Sequence, residues 1–517
     1  MAPPSPFELP TVLLSHRGPV SFTRTGGGRK AAPGAGGLVT ALTGLCAQLA
    51  DVVWIFVGSD GEDVQVAREA PGGVRELMLA PEPHLVADPP ADAAEASIRI
   101  RLVEVPPEVH EPFYGIVANP LLWFIQHRLY GLAVEPSLGR AEHRAFEEGY
   151  VEANRLAADA VIDQVRRAGG RACVFVHDYH FYLVGELVRR ACPDVLLSHF
   201  VHIPWPGPEN WRVLPPALRE PILRGLLGCD VVAFHTASDA RSFLLCVQEL
   251  LGLPVDLDSS CVTVEGRTVR ARSYPISIDV AALEQIAASD AANAHLAELD
   301  RELGSGWLLL RVDRTDPSKN IVRGFEAFSL LLDEHPELAG GVVFLALLQP
   351  SRQDVEEYAT YLAQVTDAAA AVNTRHGTGS WQPVDLRLVS DMPLAAAAYR
   401  RCDVLVVNAV ADGMNLVAKE AVVVNEHDMV LALSEATGAH GELGRYAVTL
   451  HPFDLAQQAD ALHEALTMPL DLRRARRREA ARVVRRNDVG RWLRAQLHDL
   501  AGLAPEAEET GGGAGPG

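Results

Sequence analysis

Two cations, Arg314 and Lys319, lie five residues apart in the turn-rich segment VDRTDPSKN, which directly follows the apolar run WLLLR. They could form an ordinary solvated pair on the surface. A fixed pair at the end of a strand could instead neutralise a diphosphate without a metal ion, because a leaving phosphate is stabilised by fixed positive charge. We expect both side chains to be accessible to solvent, so that replacing either one changes turnover more than stability.

Histidines and an aspartate follow two predicted strands. The run ACVFVH leads into His177, Asp178 and His180, and the run VLLSHFVH ends at His202. These residues could cap the next helix, bind a metal or bind the hydroxyl groups of a substrate. No third metal ligand is evident at a suitable spacing, so hydrogen bonding to hydroxyls is favoured.

The segment VVNAVADGMNLVAKEA reads as a strand, a turn and the start of a helix. A helix start offers free backbone N–H groups and a positive dipole end to an anion. Glu420 lies about two turns into this helix, where its carboxylate could accept hydrogen bonds from both hydroxyls of a ribose. A plain strand–turn–helix unit would explain Gly413 but would not predict Asp412 and Asn415 beside it.

Short apolar or β-branched runs alternate with longer helical stretches throughout the chain. The runs predicted as strands are TVLLS, VVWIFVG, ACVFVH, VLLSHFVH, DVVAFH, GWLLLRV, GGVVFLALL, VDLRLVS, DVLVVN and MVLALS. Strands joined by helices of roughly 10 to 20 residues imply right-handed crossovers and parallel sheets covered on both faces. About ten strands exceed one comfortable doubly wound sheet, so we predict an α/β protein with two Rossmann-like parallel-sheet domains in sequence.

The joint between the two domains is placed in SYPISID. The predicted limits are a disordered N-terminus at 1–10, a first domain at 11–276, a second at 277–485, a helix at 486–504 that crosses back to the first domain, and a disordered tail at 505–517. Ligands of open parallel sheets bind at the carboxyl ends of the strands. Two facing domains would therefore bring the motifs above around one cleft.

The composition of the chain indicates which classes of partner it is expected to bind. The chain has 517 residues and a net charge of −21, so any basic site is a local pocket, which argues against nucleic acid as a partner. Its seven cysteines are far apart and odd in number, which indicates neither a zinc site nor a disulfide framework. With no signal peptide and no apolar run of about 18 residues, we expect a soluble, cytoplasmic protein without membrane contact. A homo-oligomer remains open.

Together these segments resemble the trehalose-6-phosphate synthase family of retaining glycosyltransferases, over roughly residues 11 to 500. The resemblance rests on HDYH, HIPWP, an R-x-D-x-S-K loop and DGMNLVAKE, in that order and spacing. It implies the GT-B architecture, in which two Rossmann-like domains face a central cleft. It also implies transfer of glucose from a nucleotide-diphosphate glucose to glucose 6-phosphate, which gives α,α-trehalose 6-phosphate with retention of configuration.

The resemblance also implies a role for each matching residue. The donor site would comprise the glycine-rich loop residues Gly36 and Gly37, the cations Arg314 and Lys319, and Asp412, Gly413, Met414, Asn415, Leu416, Val417 and Glu420. The acceptor site would comprise Arg17, Tyr114, Trp123, Asp178 and Arg352. The catalytic residues would be Asp178, His202, Arg314 and Lys319.

The family needs no metal, so the resemblance implies that the enzyme works without a metal or other cofactor. The tripeptide DLD, from Asp256 to Asp258, superficially matches the D-x-D by which other sugar-transfer folds hold a divalent metal, but PVDLDSS reads more naturally as a turn. No pair of carboxylates is arranged for double displacement. The resemblance to the family favours front-face transfer, in which the leaving phosphate takes the proton of the acceptor.

Two departures from the family pattern keep alternatives open. The usual ERLDYSKG is here DRTDPSKN, and the tryptophan of the usual FGWSG has no clear counterpart in IFVGSDGED. The first departure resembles an actinobacterial branch that includes a pseudo-glycosyltransferase, which couples a GDP-linked cyclitol to an amino-cyclitol phosphate. We therefore expect GDP-glucose in preference to UDP-glucose. The alternatives are that pseudo-glycosyltransferase and a catalytically silent sensor of sugar phosphates.

By the geometry of the family, the nucleotide base lies against the loop from Val389 to Asp391, where backbone groups could bind its edge. Guanine presents an N1–H and a 2-amino group that uracil cannot both match. The carboxylate of Asp391 could therefore select guanine by accepting hydrogen bonds from both groups.

Overall fold

The computed structural model describes residues 9–25, 28–34, 37–46, 49, 51–58, 61–70, 73–78, 97–304 and 306–503. Three predictions fall outside these residues, namely residues 1–8 of the disordered N-terminus, the tail at 505–517, and Gly36. Among the described helices, none combines the length and the apolar character needed to cross a bilayer.

The first half of the chain is built on a ten-stranded sheet, whose order is β10-β11-β12-β9-β8-β7-β1-β4-β6-β5, while β2 and β3 form a separate hairpin. The strands are β1 (Thr11–Ser15), β2 (Val20–Thr25), β3 (Gly28–Pro33), β4 (Val52–Val57), β5 (Val74–Met78), β6 (Ser97–Val103), β7 (Cys173–His177), β8 (Leu196–Phe200), β9 (Val231–Phe234), β10 (Val255–Asp256), β11 (Cys261–Val264) and β12 (Arg267–Ser273). The strands from β12 to β6 run parallel, and antiparallel strands border both edges. Every residue of β1, β4, β7 and β8 is buried, as expected where helices cover both faces.

Ten α-helices accompany the described part of this sheet. They are α1 (Gly37–Cys46), α2 (Gly61–Glu69), α3 (Pro107–His110), α4 (Phe124–Gln126), α5 (Arg140–Arg144), α6 (Glu152–Arg167), α7 (Val184–Ala191), α8 (Pro208–Trp211), α9 (Pro216–Leu227) and α10 (Ala237–Leu251). Two further stretches, Glu111–Trp123 and Ala145–Val151, are wound as π-helix.

The second half is built on a six-stranded, fully parallel sheet in the order β15-β14-β13-β16-β17-β18. The strands are β13 (Trp307–Arg314), β14 (Val342–Gln349), β15 (Val384–Leu388), β16 (Val404–Val407), β17 (Val430–Ser434) and β18 (Val448–Leu450). The helices are α11 (Val280–Ala287), α12 (Asp290–Leu303), α13 (Ile321–Glu334), α14 (Glu356–His376), α15 (Met392–Arg401), α16 (Leu416–Val424), α17 (His440–Leu443), α18 (Leu455–Thr467), α19 (Leu470–Arg486) and α20 (Val489–Ala501). Strand order reverses between β13 and β16, which makes their carboxyl ends the switch point where ligands bind in such sheets.

The predicted fold class is confirmed, and all ten predicted runs form strands. The hairpin β2–β3 and the antiparallel edge strands were not predicted. Helix α20 packs against the first half, where the Trp492 ring lies 5.4 Å from the Phe200 ring and the Tyr274 hydroxyl donates to Asp499 at 2.6 Å. The exact domain limits stay a prediction.

Candidate active site

The switch point brings together the two motifs that the sequence singled out. Arg314 ends β13 and Lys319 follows in a 3-10 turn, while the turn ADGMN follows β16 and leads into α16. Because β13 and β16 are neighbours in the sheet, both loops open at the same edge. The two segments, which are distant in the sequence, therefore form one wall of a site.

Lys319 crosses the switch point to pair with Asp412. Its Nζ lies 2.5 Å from Asp412 Oδ2, and the same oxygen accepts from Asn415 Nδ2 at 3.2 Å. The Lys319 side chain is only 14% exposed, so the expectation of solvent access is wrong for this residue, whereas Arg314 is 37% exposed. Burial alone would lower the pKa of Lys319, but Asp412 and Asp313 raise it, so the ammonium stays charged.

A buried arginine that was not predicted donates hydrogen bonds to this loop. Arg311 has no exposed side-chain surface, and its Nη1 donates to the Lys319 carbonyl at 2.9 Å and to Asp313 Oδ2 at 3.1 Å. Burial raises the pKa of Asp313 to about 6, although Arg311 acts in the opposite direction. The signal in the sequence was a charge within the otherwise apolar run WLLLR.

The turn ADGMN lies very close to the first half of the chain. A Cβ on Gly413 would come within 2.2 Å of the His202 carbonyl oxygen, so only glycine fits there without movement. Asn415 adopts φ 83° and its Oδ1 accepts from the Ala418 N–H at 3.0 Å, which caps α16. That cap leaves the N–H groups of Leu416 and Val417 in the first turn, where a helix has no internal partners for them.

Two further donor predictions have a structural context. The Glu420 carboxylate, in α16, accepts from the Tyr399 hydroxyl at 2.9 Å, and burial raises the pKa of Glu420. Tyr399 was not predicted. Gly37, at the start of α1, lies so close to α16 that an added Cβ would be 2.7 Å from Leu416 Cδ1. The described end of the glycine-rich loop therefore lies against α16.

Asp178 and His202 lie together at the ends of β7 and β8. Asp178 has the strained backbone angles φ 74° and ψ 173°, and its Oδ1 lies 3.3 Å from the His202 backbone nitrogen. Burial raises the pKa of Asp178 to about 6, although backbone N–H groups and nearby arginines oppose this effect. His177 Nδ1 and His202 Nε2 are 3.0 Å apart, and burial lowers the pKa of both rings, so they are neutral hydrogen-bonding groups.

The residues predicted for the acceptor centre on Arg352, which is 7% exposed and has φ 50°. Its Nη2 donates to the Tyr179 hydroxyl at 2.9 Å, its Nη1 donates to the Tyr358 hydroxyl, and its guanidinium lies 4.2 Å from the centre of the Trp123 ring. Burial acts to raise the pKa of Tyr114, but the charges of Arg352 and Arg17 outweigh it, so the pKa is lowered. The two predicted arginines therefore both act on Tyr114.

The π-helical winding of Glu111–Trp123 explains how Tyr114 and Trp123 can both face Arg352. Nine residues make about two and a half turns of an α-helix, which would place the two rings on opposite faces. A π-helix bonds each N–H to the carbonyl five residues earlier and has a wider turn. The spacing then amounts to about two turns, and both rings lie on one face.

Rings that the sequence reasoning missed line the same side. His16 stacks between Tyr114 at 4.9 Å and His180 at 4.3 Å, and His110 stacks on Tyr114 at 5.4 Å. Burial lowers the pKa of His16 to about 3, so this imidazole is neutral. His180, predicted as part of HDYH, thus belongs to an aromatic stack rather than to the pair formed by Asp178 and His202.

Local hydrogen bonds engage two other residues that the sequence singled out, Asp391 and Asp256. Asp391 caps α15, because its Oδ1 accepts from the Leu394 N–H at 3.0 Å, and its Oδ2 lies 3.5 Å from His295 Nε2. A carboxylate occupied in this way lends no support to the predicted selection of guanine. Asp256 Oδ1 accepts from the Asp258 N–H at 2.9 Å, so DLD forms a turn, as expected.

The two sheets, with ligand-binding loops at the switch point of the second and polar groups at the facing strand ends of the first, define a glycosyltransferase of the GT-B class. The sequence matches the family described as Glycosyltransferase family 20 over residues 10–502. The chain belongs to this family.

Two known relatives are similar to this sequence along nearly the whole chain. A trehalose-6-phosphate synthase of Mycobacterium marinum is 34% identical over 512 residues, which is 96% of this chain and 94% of the relative. An alpha,alpha-trehalose-phosphate synthase [UDP-forming] 2 of Aspergillus niger is 30% identical over 498 residues, 95% of this chain and 96% of the relative. The chain spans only 47% to 61% of three longer relatives from Arabidopsis thaliana and Dictyostelium discoideum.

Solved structures also superpose on nearly the whole chain. A structure described as trehalose-6-phosphate synthase OtsA superposes with a TM-score of 0.80 at 27% identity, over 95% of this chain and 98% of that one. A Burkholderia xenovorans alpha,alpha-trehalose-phosphate synthase (UDP-forming) in complex with glucose-6-phosphate superposes with a TM-score of 0.79 at 26% identity, over 95% and 99% of the two chains.

Proposed function

We propose that this family-20 enzyme transfers glucose from a nucleotide-diphosphate glucose to glucose 6-phosphate and forms α,α-trehalose 6-phosphate. One observation carries the proposal. The cations Arg314 and Lys319 lie at the switch point, the buried cation Arg352 follows the neighbouring strand β14, and Asp178 and His202 are at the strand ends of the first sheet. Such an arrangement suits two anionic sugars that meet at one centre.

The residues suggest a division of roles. Arg314, Lys319 and the start of α16 neutralise the diphosphate as the bond from the anomeric carbon to the phosphate oxygen breaks. The acceptor hydroxyl attacks from the face that the phosphate leaves, its proton passes to the departing phosphate oxygen, and the new C–O bond retains the configuration. Asp178 and His202 orient sugar hydroxyls by hydrogen bonding.

For the donor base, we keep GDP-glucose as the favoured partner, on the resemblance of the DRTDPSKN loop alone. UDP-glucose is the second candidate, because several relatives are named UDP-forming. The loop between β15 and α15 suits either base, since Ser390 is exposed and no hydrogen bond within the described residues occupies its backbone N–H or carbonyl. Calorimetric titration of GDP and UDP decides between them, because tighter UDP binding overturns the GDP assignment.

The activity itself is tested by incubating the purified protein with glucose 6-phosphate and UDP-, GDP- or ADP-glucose. Nucleotide release should accompany a non-reducing disaccharide phosphate, and NMR should show the α,α linkage. Binding of glucose 6-phosphate without turnover of any donor would favour a silent sensor. Turnover only with a cyclitol donor would favour the pseudo-glycosyltransferase.

A further inference from the structure

Asp316 is a buried carboxylate to which the scheme above gives no role. Its Oδ1 accepts from the backbone N–H of Ser318 at 3.0 Å and from its hydroxyl at 2.8 Å, and it lies 3.4 Å from Trp123 Nε1. Its Oδ2 has no hydrogen-bond partner among the described residues. That free oxygen lies 3.8 Å from Arg314 Nη2 and 3.6 Å from Arg352 Nη1.

The two arginines also share one aromatic ring. The guanidinium carbon of Arg352 lies 4.2 Å from the centre of the Trp123 ring, and that of Arg314 lies 5.4 Å from it. An indole attracts a cation placed over its face. Trp123 and Asp316 thus hold the donor-side cation and the acceptor-side cation in a single cluster.

The charge of Asp316 is maintained by these neighbours. Burial acts to raise its pKa, but Arg314 and Arg352 outweigh this effect and lower the pKa to about 2, so the group is ionised near neutral pH. A buried carboxylate with an unused oxygen is costly unless charge compensates it. Here two arginines supply that compensation, and each one belongs to a different substrate site.

We propose that Asp316 is a positioning residue that holds Arg314 and Arg352 as one electrostatic unit and thereby couples the donor site to the acceptor site. The inference rests on the proposed function, because it takes Arg314 as a donor contact and Arg352 as an acceptor contact. It also specifies the sign of two effects that ordinary structural damage would not produce.

The first effect follows from removing the carboxylate charge. In Asp316→Asn both guanidinium groups keep their charge and lose their common anchor, so the site becomes more positive and less ordered. Nucleotide diphosphates should bind at least as tightly as in the wild type. Turnover should fall about 10-fold or more, because catalysis needs the cations in fixed positions.

Calorimetry with GDP and UDP, together with steady-state kcat, measures this split. Ser318→Ala is the matched control, because it removes one hydrogen bond to Oδ1 and keeps the charge. We expect its kcat to stay within about 3-fold of the wild type. Weaker nucleotide binding in Asp316→Asn, or an unchanged kcat, overturns the proposal.

The second effect is a cross-effect, in which a substitution on the acceptor side changes ligand binding on the donor side. Without Arg352, the Asp316 carboxylate keeps only Arg314 as a close counter-ion and draws it away from the diphosphate. Arg352→Ala should therefore weaken GDP or UDP binding about 2- to 5-fold, although this arginine belongs to the acceptor side. In an Asp316→Asn background the same substitution should have no such effect.

Failure of the proposed function and failure of the coupling give different results. A wild-type protein that binds neither GDP nor UDP defeats the proposed function, whereas normal binding and turnover with an equal cross-effect in both backgrounds defeats only the coupling. If Asp316→Asn does not fold, Arg314→Ala, Arg352→Ala and the double variant give the same test with Asp316 intact. Their effects on nucleotide binding should then be non-additive by about 3-fold, and additivity overturns the proposal.

Discussion

Lys319 Nζ lies 2.5 Å from Asp412 Oδ2, although the two residues are 93 positions apart in the chain. Lys319 is part of the loop after β13, and Asp412 is part of the turn before α16. The pair therefore joins the two loops at the switch point before any ligand arrives, and both members have a structural role besides the chemical role proposed for them.

Lys319→Ala should reduce turnover by about 10² or more, because it removes fixed charge from the developing diphosphate. It should also lower the free energy of unfolding by about 2–4 kcal/mol, since Asp412 is left buried without its cation. Chemical denaturation and steady-state kinetics measure the two effects. Adding Asp412→Asn should restore much of the stability and none of the turnover, and Arg314→Ala should lose turnover with a smaller loss of stability.

Arg352→Ala should raise the KM for glucose 6-phosphate about 10-fold or more, because a lost phosphate contact affects mainly the ligand that carries the phosphate. Donor affinity should change by no more than the 2- to 5-fold expected from the cross-effect through Asp316. Initial rates at varied concentrations of both substrates separate the two values. Equal weakening of both substrates would contradict the assignment of Arg352 to the acceptor.

Asp178→Asn should stabilise the ligand-free protein at neutral pH. Burial holds the pKa of Asp178 at about 6 in the folded state, above its ordinary value of 3.8, so ionisation costs stability above pH 6 and costs little below pH 4. The gain in unfolding free energy from Asp178→Asn should be largest at pH 7.5 and about half as large at pH 5.

Urea denaturation of both proteins at these two pH values measures the difference. Asp194→Asn, an exposed aspartate in the same half of the chain, is the control and should change stability little at either pH. A gain that does not depend on pH would show that ionisation of Asp178 is not its cause. Activity of Asp178→Asn should fall even as stability rises, because an amide orients sugar hydroxyls differently from a carboxylate.

Activity should survive an excess of EDTA, because Arg314 and Lys319 replace a metal in the proposed chemistry. The one group of described residues that could hold a metal, formed by His335, Glu337 and His463, begins at the far end of α13, about 20 Å along the helix from Lys319. Rates should be equal with EDTA, after its removal and with added Mg²⁺. Strict dependence on Mg²⁺ or Mn²⁺ would revive the metal role of DLD.

The sequence predicted the parts of the site that depend on local order. A polar residue directly after an apolar parallel strand lies at the carboxyl edge of the sheet, which is why Asp178, His202 and Arg314 could be placed in a cleft from pattern alone. The turn before α16 also follows an apolar strand, and asparagine tolerates the left-handed backbone angle that Asn415 adopts in it.

The remaining features depend on pairings between distant segments, and no local pattern encodes them. The sequence showed Asp316 only as a member of a turn, because its partners Trp123 and Arg352 come from other elements. Lys319 was expected in solvent because its partner Asp412 belongs to a turn 93 positions later in the chain. The π-helical winding that aligns Tyr114 with Trp123 differs from an α-helix by a small change in turn width, which the sequence does not reveal.

The packing of α20 determines when, during synthesis, the surroundings of His202 are completed. Trp492 packs against the ring of Phe200 and lies 6.3 Å from the ring of His202, although His202 leaves the ribosome almost three hundred residues earlier. A nascent chain can complete its first sheet, yet His202 lacks part of its packing until α20 emerges. The site around His202 can therefore reach its full packing only after α20 has been synthesised.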